Sequence, residues 1–253
     1  ISRVLGATEL GKYGYTQSIT TYFILIGTIG IAMYGERETA YIPEGESGKR
    51  QRTILFWEVN ALRLITVVLT LAVFYATFVT HSPFGYLYAI QMIDIVANVF
   101  DISWFFQGME EFKKTVARNM LVKLVCVGAI FIFVKDVSDL PLYVLCYSLS
   151  LLLGNLSLWL YLPKYLAKIQ WTELRLFRHL KGALVLFIPQ VATQVFTVLD
   201  KTMLGVLATD MSQVGYYEQS QKIVRLLLTI ITSLGIVMLP RMASIYAKKD
   251  HAL

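Results

Sequence analysis

Seven long apolar stretches, separated by short polar segments, constrain the fold of this chain more than any other feature. A helix needs about 20 apolar residues to cross a bilayer core of about 30 Å. Because lipid offers no partner to a free backbone N–H or C=O group, spans this apolar should be helical. The sequence predicts an all-α polytopic membrane protein with seven transmembrane helices. The stretches run roughly over residues 15–35, 54–79, 84–106, 119–134, 141–162, 182–205 and 214–240.

The composition argues against the soluble classes. Of 253 residues, 56% are hydrophobic and 16% are charged, whereas soluble domains carry about a quarter charged residues. So few charged side chains could not cover a core of this size. The two cysteines, Cys126 and Cys146, lie in apolar stretches without a metal-binding or redox spacing. The chain is therefore neither disordered nor disulfide-stapled, and a soluble enzyme is disfavoured.

The net charge of +6 indicates membrane orientation rather than nucleic-acid binding. One set of alternate loops holds fifteen lysines and arginines, and the opposite set holds three. Because positively charged loops stay in the cytoplasm, this bias predicts a multi-pass membrane protein whose chain starts outside and ends in the cytoplasm. The basic loops are 36–53, 107–118, 163–181 and 241–253, and the opposite loops hold Arg3, Lys12 and Lys135.

A short internal repeat predicts two helical bundles. Residues 29–33 (IGIAM) end the first apolar stretch, and residues 234–238 (LGIVM) end the seventh. Both stretches run in the same direction, as in transporters built from parallel repeats. We expect residues 1–165 to form an N-terminal helical lobe that lacks its first helix. Residues 166–181 would be a cytoplasmic amphipathic linker, and residues 182–253 the first two helices of a C-terminal lobe, so that the fold is truncated at both ends.

Polar side chains follow one face of three apolar stretches, at the three- and four-residue spacings of a helix. A charge inside a bilayer costs about 2.5–3.5 kcal/mol on insertion scales, so each one needs a reason. Three such faces predict a shared polar cavity inside the bundle. They comprise Gln91, Asp94, Asn98 and Asp101 in the third stretch, Gln190, Gln194, Thr197 and Lys201 in the sixth, where Thr193 and Asp200 flank the face, and Glu218, Gln221, Lys222, Arg225, Thr229 and Thr232 in the seventh.

Structural interpretations of the same charges stay open. The sixth- and seventh-stretch charges could neutralise one another and hold helices together, although they leave one cation in excess, which favours a cavity. Asp94 and Asp101 are either paired across helices or available to a proton or cation. For Lys123 and Arg63 we expect extended side chains that reach the water interface, with Glu58 as a helix-surface partner for one of them.

No catalytic motif accompanies these faces. The sequence lacks a phosphate-binding Gly-Lys-Ser/Thr loop, a nucleophile elbow, an HExxH pattern and a Cys-x-x-Cys pattern. No loop exceeds about 20 residues, which leaves no room for a soluble catalytic domain. The sequence therefore predicts a protein that is not an enzyme and that holds no cofactor or metal.

Several segments resemble one family across nearly the whole chain. In their order and spacing they are similar to the bacterial polysaccharide and O-unit flippases of the multidrug/oligosaccharidyl-lipid/polysaccharide superfamily. The most specific are WFFQG-x-E-x-FKK and LDK-x-MLG. The matching segments are RVLGATELGKYGYTQSI (3–19), FWEVNALRL (56–64), FDISWFFQGMEEFKK (100–114), LDKTMLG (199–205), GYYEQSQKIVR (215–225) and SLGIVMLPRM (233–242).

The resemblance implies a function. Members move undecaprenyl-pyrophosphate-linked oligosaccharides to the outer leaflet by alternating access, for O-antigen, capsule or exopolysaccharide synthesis, through a cationic cavity between two six-helix lobes. The implied partners are this lipid carrier, the bilayer, and a polysaccharide polymerase with its assembly proteins, and no nucleic acid. Candidate cavity residues are Arg37, Asp200, Lys201, Glu218, Lys222 and Arg225 for the pyrophosphate and Gln91, Asn98, Gln190 and Gln194 for the sugars, with Asp94 and Asp101 as ion-coupling candidates.

Other functions remain as alternatives. A multidrug or cation exporter of the same superfamily would more often have an acidic cavity. An integral-membrane glycosyltransferase or polymerase would need a sizeable loop outside the membrane. A scaffold in a polysaccharide-assembly complex is the third alternative.

Overall fold

The computed structural model describes residues 1–43, 45–169 and 174–229, and every regular element in these ranges is helical. The all-α class predicted from the apolar stretches is thereby confirmed. The α-helices are α1 (Ser2–Thr28), α2 (Ile31–Tyr41), α3 (Glu46–Phe74), α4 (Gly85–Val99), α5 (Ser103–Gly108), α6 (Phe112–Phe133), α7 (Leu140–Trp159) and α8 (Leu180–Leu207). A further helix, α9, covers residues 211–229 and reaches the end of the described range.

The membrane-spanning character is confirmed, but the number of spans stays a prediction. Four helical segments are long and apolar enough to cross a bilayer, and the bent pair of α1 and α2 could form a fifth. The predicted span 119–134 lies in α6, which is not among these segments. The predicted span 214–240 continues beyond residue 229, where the described range ends. The second copy of the repeat, residues 234–238, lies outside the described residues. The four segments are Glu46–Val79, Gly85–Gly108, Val137–Lys164 and Leu176–Leu207.

α1 and α2 meet at a bend of 42°. Ile29 and Gly30 have φ angles of 41° and 67°, in the left-handed region that ends many helices. A Cβ atom on Gly30 would lie 2.6 Å from the carbonyl oxygen of Ala183, so the close approach of α8 also requires glycine here. The bend and this contact together fix where α8 crosses the end of α1.

α4 and α5 are separated by a short break, at which the backbone carbonyls lose the partner four residues ahead that a continuous α-helix would supply. Side chains from α3 and α7 bind these carbonyls: Asn155 Nδ2 donates to Ala97 O at 2.7 Å, and Trp159 Nε1 donates to Phe100 O at 2.9 Å. Arg63, which is 1% exposed, donates through Nη1 to the carbonyls of residues 98 and 101. Because lipid cannot satisfy broken-helix carbonyls, these side chains make the break possible.

The position of Arg63 corrects the sequence-based interpretation. The prediction that its side chain extends to the water interface is wrong, because the guanidinium is enclosed between α3 and the α4–α5 break. Glu58 is not its partner either. The free carbonyls of a broken helix are strong acceptors for a buried guanidinium, and the sequence does not show that the helix is broken there.

Glu58 instead joins α3 to the segment that precedes α8. Its side chain is fully buried, and its carboxylate accepts hydrogen bonds from Arg178 Nε at 3.1 Å and from the backbone N–H of Arg175. His179 Nε2 lies 2.7 Å from the same carboxylate. With a proton on Nε2, His179 Nδ1 accepts from the hydroxyl of Tyr34 at 2.9 Å. This network anchors the start of α8 to α2 and α3.

Candidate functional site

A cavity of about 560 Å³ lies between α1 and α7 on one side and α8 and α9 on the other. We call it the cationic cavity. A neighbouring space of about 410 Å³ shares Thr21, Thr193 and Gln194 with it and continues along α1 and α8 to Gln190. The cationic cavity is lined by Tyr13, Gly14, Gln17, Ser18, Thr21, Tyr143, Tyr147, Thr193, Gln194, Thr197, Val198, Lys201, Glu218, Lys222 and Arg225.

Close packing of α1 and α9 positions the charged side chains. A Cβ atom on Gly11 would lie 1.8 Å from Met211 O, and one on Gly215 would lie 1.9 Å from Ala7 O, so only glycine allows the two backbones to touch. One turn further on, Glu218 lies against Gly14. Asp210 accepts the hydroxyl of Ser212 and the backbone N–H of Ser212, the latter at 3.0 Å, and the backbone bond caps the start of α9. The hydroxyl first, and then the backbone N–H, holds the pKa of the Asp210 carboxyl below its ordinary value.

Among the described residues, the cavity lining contains three basic side chains and one acidic side chain. Glu218 pairs with Lys201, and both side chains are about one-eighth exposed, at 12% and 13%. Lys222 Nζ lies 3.6 Å from the same carboxylate. Arg225 donates to the backbone carbonyl of Thr197 at 3.4 Å. Since one carboxylate can neutralise only one cation, the lining keeps an excess of positive charge.

The rest of the lining is aromatic and neutral polar. Tyr13 makes edge-to-face contacts with Tyr143 at 5.3 Å and with Tyr147 at 6.4 Å between ring centroids. Thr202 donates to Ser18 at 3.0 Å and joins α8 to α1 beside the cavity. Hydroxyl and amide groups of this kind can bind a neutral, hydroxyl-rich ligand.

The predicted residues of the sixth and seventh stretches divide between the cavity and its surroundings. Gln194, Lys201, Glu218, Lys222 and Arg225 line the cationic cavity, and Gln190 lines the neighbouring space. Asp200 is exposed outside the lining, where it accepts the Tyr217 hydroxyl at 2.7 Å.

Arg37 lies away from these residues on α2. It is exposed, pairs with Glu38 at 2.8 Å, and its guanidinium lies 5.5 Å from the Tyr34 ring centre. It does not line the cationic cavity.

Gln91 and Asn98, on the polar face of α4, contact other helices or their own backbone. Gln91 is fully buried and accepts the Thr20 hydroxyl at 2.8 Å, while its amide donates to Thr16 at 3.0 Å. Asn98 Nδ2 donates to the carbonyl of Asp94 at 2.8 Å. Neither side chain lines the cationic cavity.

The two aspartates of α4 and its C-terminal break have different surroundings. Asp101 accepts the Ser103 backbone N–H at 3.0 Å and has Arg63 and Arg118 as cationic neighbours. Asp94 is 1% exposed, and within the described residues neither of its carboxylate oxygens has a partner with hydrogen-bond geometry. Its polar neighbours are Gln17, which lines the cationic cavity, and Ser148. The structure therefore separates a partnered carboxylate from an unpartnered one.

Sequence reasoning missed the part of the lining that comes from the first and fifth apolar stretches. Gln17 and Thr21 are four residues apart on α1, as are Tyr143 and Tyr147 on α7, so each pair shares a helix face. That spacing was the available signal, but neutral polar residues are common helix-packing contacts and carry no charge to single them out. Within the described ranges, no group of three or more His, Cys, Asp or Glu residues could hold a metal ion.

Comparisons with known proteins agree on one kind of protein. The sequence model of the family described as "Polysaccharide biosynthesis protein" matches residues 1–246. A relative from Escherichia coli (strain K12), named "Putative O-antigen transporter", is 26% identical over 144 residues, which is 55% of this chain and 34% of the relative. The match thus spans about a third of the length of that relative. No solved structure matches this chain.

Proposed function

Because this chain belongs to the polysaccharide biosynthesis protein family, whose sequence model matches residues 1–246, we propose that it acts in a lipid-linked oligosaccharide flippase. The substrate is an undecaprenyl-pyrophosphate-linked repeat unit, which moves from the cytoplasmic to the outer leaflet for O-antigen, capsule or exopolysaccharide synthesis. The name of the Escherichia coli relative, an O-antigen transporter, supports this substrate class.

The excess of cations in the cationic cavity carries this proposal. Lys201, Lys222 and Arg225 share the lining with one carboxylate, Glu218. A pyrophosphate supplies several negative charges, and arginine can bind phosphate oxygens with two parallel hydrogen bonds. A cationic drug would be repelled by this lining, which favours the flippase over a cation exporter of the same superfamily.

The neutral polar side chains of the two neighbouring spaces would bind the sugar part of the substrate. Gln190 and Gln194 follow one face of α8, and Tyr13, Tyr143 and Tyr147 form the opposite wall. Their amides and hydroxyls can hydrogen-bond sugar hydroxyl groups. In alternating access, α1 and α7 would move against α8 and α9, so that the cavity opens to each side in turn.

We infer that Asp94, rather than Asp101, is the carboxylate available to a proton or monovalent cation. Asp101 already has a backbone N–H and two cationic neighbours, whereas Asp94 is buried without a partner close to the cavity lining. Asp94→Asn should reduce ion-driven transport at least tenfold. Asp101→Asn should have a much smaller effect on the ion dependence, because Asn retains an acceptor for Ser103.

The proposal is tested by reconstituting the full-length protein and measuring glycolipid translocation. The double variant Lys222→Ala with Arg225→Ala should lower the rate at least tenfold, because it removes two of three cations from the lining. The matched control is Lys164→Ala with Lys168→Ala, which removes two exposed cations outside the cavity. Unchanged translocation in the first variant would contradict the cationic site. Export of a cationic dye without glycolipid translocation would contradict the proposal that the protein is a flippase. Sugar transfer by the purified protein would contradict it as well.

A further inference from the structure

A second groove, of about 510 Å³, lies between α6 and α7 and shares no residue with the cationic cavity. We call it the α6–α7 groove. Leu121, Val125 and Leu153 form its walls and are 61–63% exposed, and Leu160 at one end is 82% exposed. Leucines and valines this open to the surroundings are expected where a membrane protein faces acyl chains. The groove therefore opens towards lipid.

One end of the α6–α7 groove carries a cation. Arg118 lines it together with Tyr161. Arg118 Nη1 donates to Asn155 Oδ1 at 2.8 Å, while its Nε is buried and has no hydrogen-bond partner among the described residues. The buried Nε cannot reach a ligand, but a guanidinium carries five N–H donors, so the bond to Asn155 leaves others for an anion at this end of the groove.

A second, smaller cavity shares Arg118, Val122 and Gly154 with the α6–α7 groove and contains a further cation. It measures about 290 Å³ and is lined by Arg118, Lys123, Asn119 and Asp101 among others. Here Val122 packs so closely on Gly154 that a Cβ atom on the glycine would lie 2.9 Å from the valine side chain. With two cations and one carboxylate, the lining of this smaller cavity is net positive, and Arg118 is the cation that it shares with the α6–α7 groove.

The position of Arg118 along the helices matches the depth of a lipid headgroup. Arg118 is near the start of α6, and Trp159 and Tyr161 are at the end of α7, where the predicted cytoplasmic interface lies. Arginine, tryptophan and tyrosine are typical of this level. From Arg118 to Val125 the helix rises about 10 Å, which accommodates the upper part of an acyl chain within one leaflet.

We propose that the α6–α7 groove binds an anionic phospholipid of the inner leaflet. Its phosphate contacts Arg118, and one acyl chain lies along Leu121, Val125 and Leu153. Basic sites between transmembrane helices on the cytoplasmic side are suited to anionic headgroups. The occupant is a bilayer lipid rather than the carrier substrate, since a headgroup here is separate from the lining of the cationic cavity. This site does not depend on the flippase proposal.

Native mass spectrometry of the purified protein in detergent tests the site. The probes are phosphatidylglycerol, phosphatidylcholine and undecaprenyl phosphate, each added alone. The wild type should retain phosphatidylglycerol in preference to the other two. Arg118→Gln should lower that affinity about fivefold, as expected for one surface cation. Leu153→Trp, which fills the groove and leaves Arg118 in place, should also reduce retention at least fivefold.

Lys168→Gln is the matched control, because it removes an exposed cation outside the groove and should leave retention unchanged. Equal retention of phosphatidylcholine and phosphatidylglycerol would overturn the proposal. So would a preference for undecaprenyl phosphate, or full retention in Leu153→Trp. If Arg118→Gln unfolds, a normal thermal transition in Leu153→Trp keeps the test valid.

Discussion

The charged side chains around α3 and those around the cationic cavity differ in what they bind. Near α3, Arg63 and Glu58 are enclosed and bind backbone groups or other side chains at short distances. In the cationic cavity, Lys201, Lys222 and Arg225 share a single carboxylate, Glu218. The first region uses its charges to hold helices together, and the second keeps charge in excess.

This difference gives a physical criterion for separating structural from functional charges. A charge that is enclosed by the bundle and bound to neighbouring groups is inaccessible to a ligand, and removal of one partner leaves the other unsatisfied. A charge that lines a cavity and lacks a full partner can bind something else at little cost to the fold. Variants near α3 should therefore reduce mainly the stability of the protein, and variants in the cationic cavity should reduce mainly its transport rate.

Arg63→Ala should cause the largest loss of stability. It removes a fully buried guanidinium from the carbonyls of the α4–α5 break and opens a cavity, for an expected loss of about 3–5 kcal/mol. The measurement is the thermal unfolding transition of the protein in detergent. The control is Arg37→Ala, an exposed cation whose removal should change stability by about 0.5 kcal/mol or less. Equal stability of both variants would remove the structural role of Arg63.

Glu58→Ala should cost about 2–3 kcal/mol, because His179 and the Arg175 N–H lose their acceptor. Glu58→Gln keeps one acceptor oxygen and should cost less. The same unfolding assay compares the two variants, with Glu9→Ala as a control that breaks a partly exposed pair with Lys12 and should cost about 1 kcal/mol or less. A Gln variant as unstable as the Ala variant would show that charge, rather than acceptor geometry, holds the network.

Asn155→Ala should cost about 1–2 kcal/mol. It removes the side-chain donor to the Ala97 carbonyl, which keeps the Phe100 backbone N–H, and it removes the acceptor of Arg118 Nη1. Ser157→Ala on the same helix is the matched control, because Ser157 donates only to the carbonyl of Gly154 in its own helix. If the two variants unfold alike, the side chains around the α4–α5 break do not support it.

Lys222→Ala with Arg225→Ala should have the smallest effect on stability, about 0.5 kcal/mol or less, since both side chains are exposed in the cavity. The same variant should show the large transport defect described above. Paired measurements of unfolding and translocation give the comparison directly. A strong loss of stability here would mean that the two regions do not differ in the way proposed.

Several features of the molecule were predictable from the sequence. The apolar stretches indicated helices, because only intrahelical hydrogen bonds satisfy a backbone in lipid. The spacing on the sixth and seventh stretches brought Gln194, Lys201, Glu218, Lys222 and Arg225 to shared helix faces, and all five line one cavity. The family resemblance was also confirmed, by a match over residues 1–246.

Other assignments required the packing of helices that are distant in sequence. Asp94 and Asp101 looked equivalent along the chain, yet Asp101 lies near the cations Arg63 and Arg118, whereas the polar neighbours of Asp94 are the neutral Gln17 and Ser148. Asp200 is next to Lys201 in sequence and still lies outside the lining. Adjacent residues on a helix point about 100° apart, so only the positions of the neighbouring helices decide which one enters a cavity.

The sequence by itself determined that this chain forms apolar helices and which faces of them are polar, because hydrogen bonding and helical periodicity act locally. Only the tertiary structure decided which buried charges are satisfied. Arg63 binds carbonyls freed by the break between α4 and α5, and Glu58 binds groups more than one hundred residues away. The partners of a buried charge are set by contacts between helices, and those contacts depend on where each helix bends, breaks and crosses its neighbours.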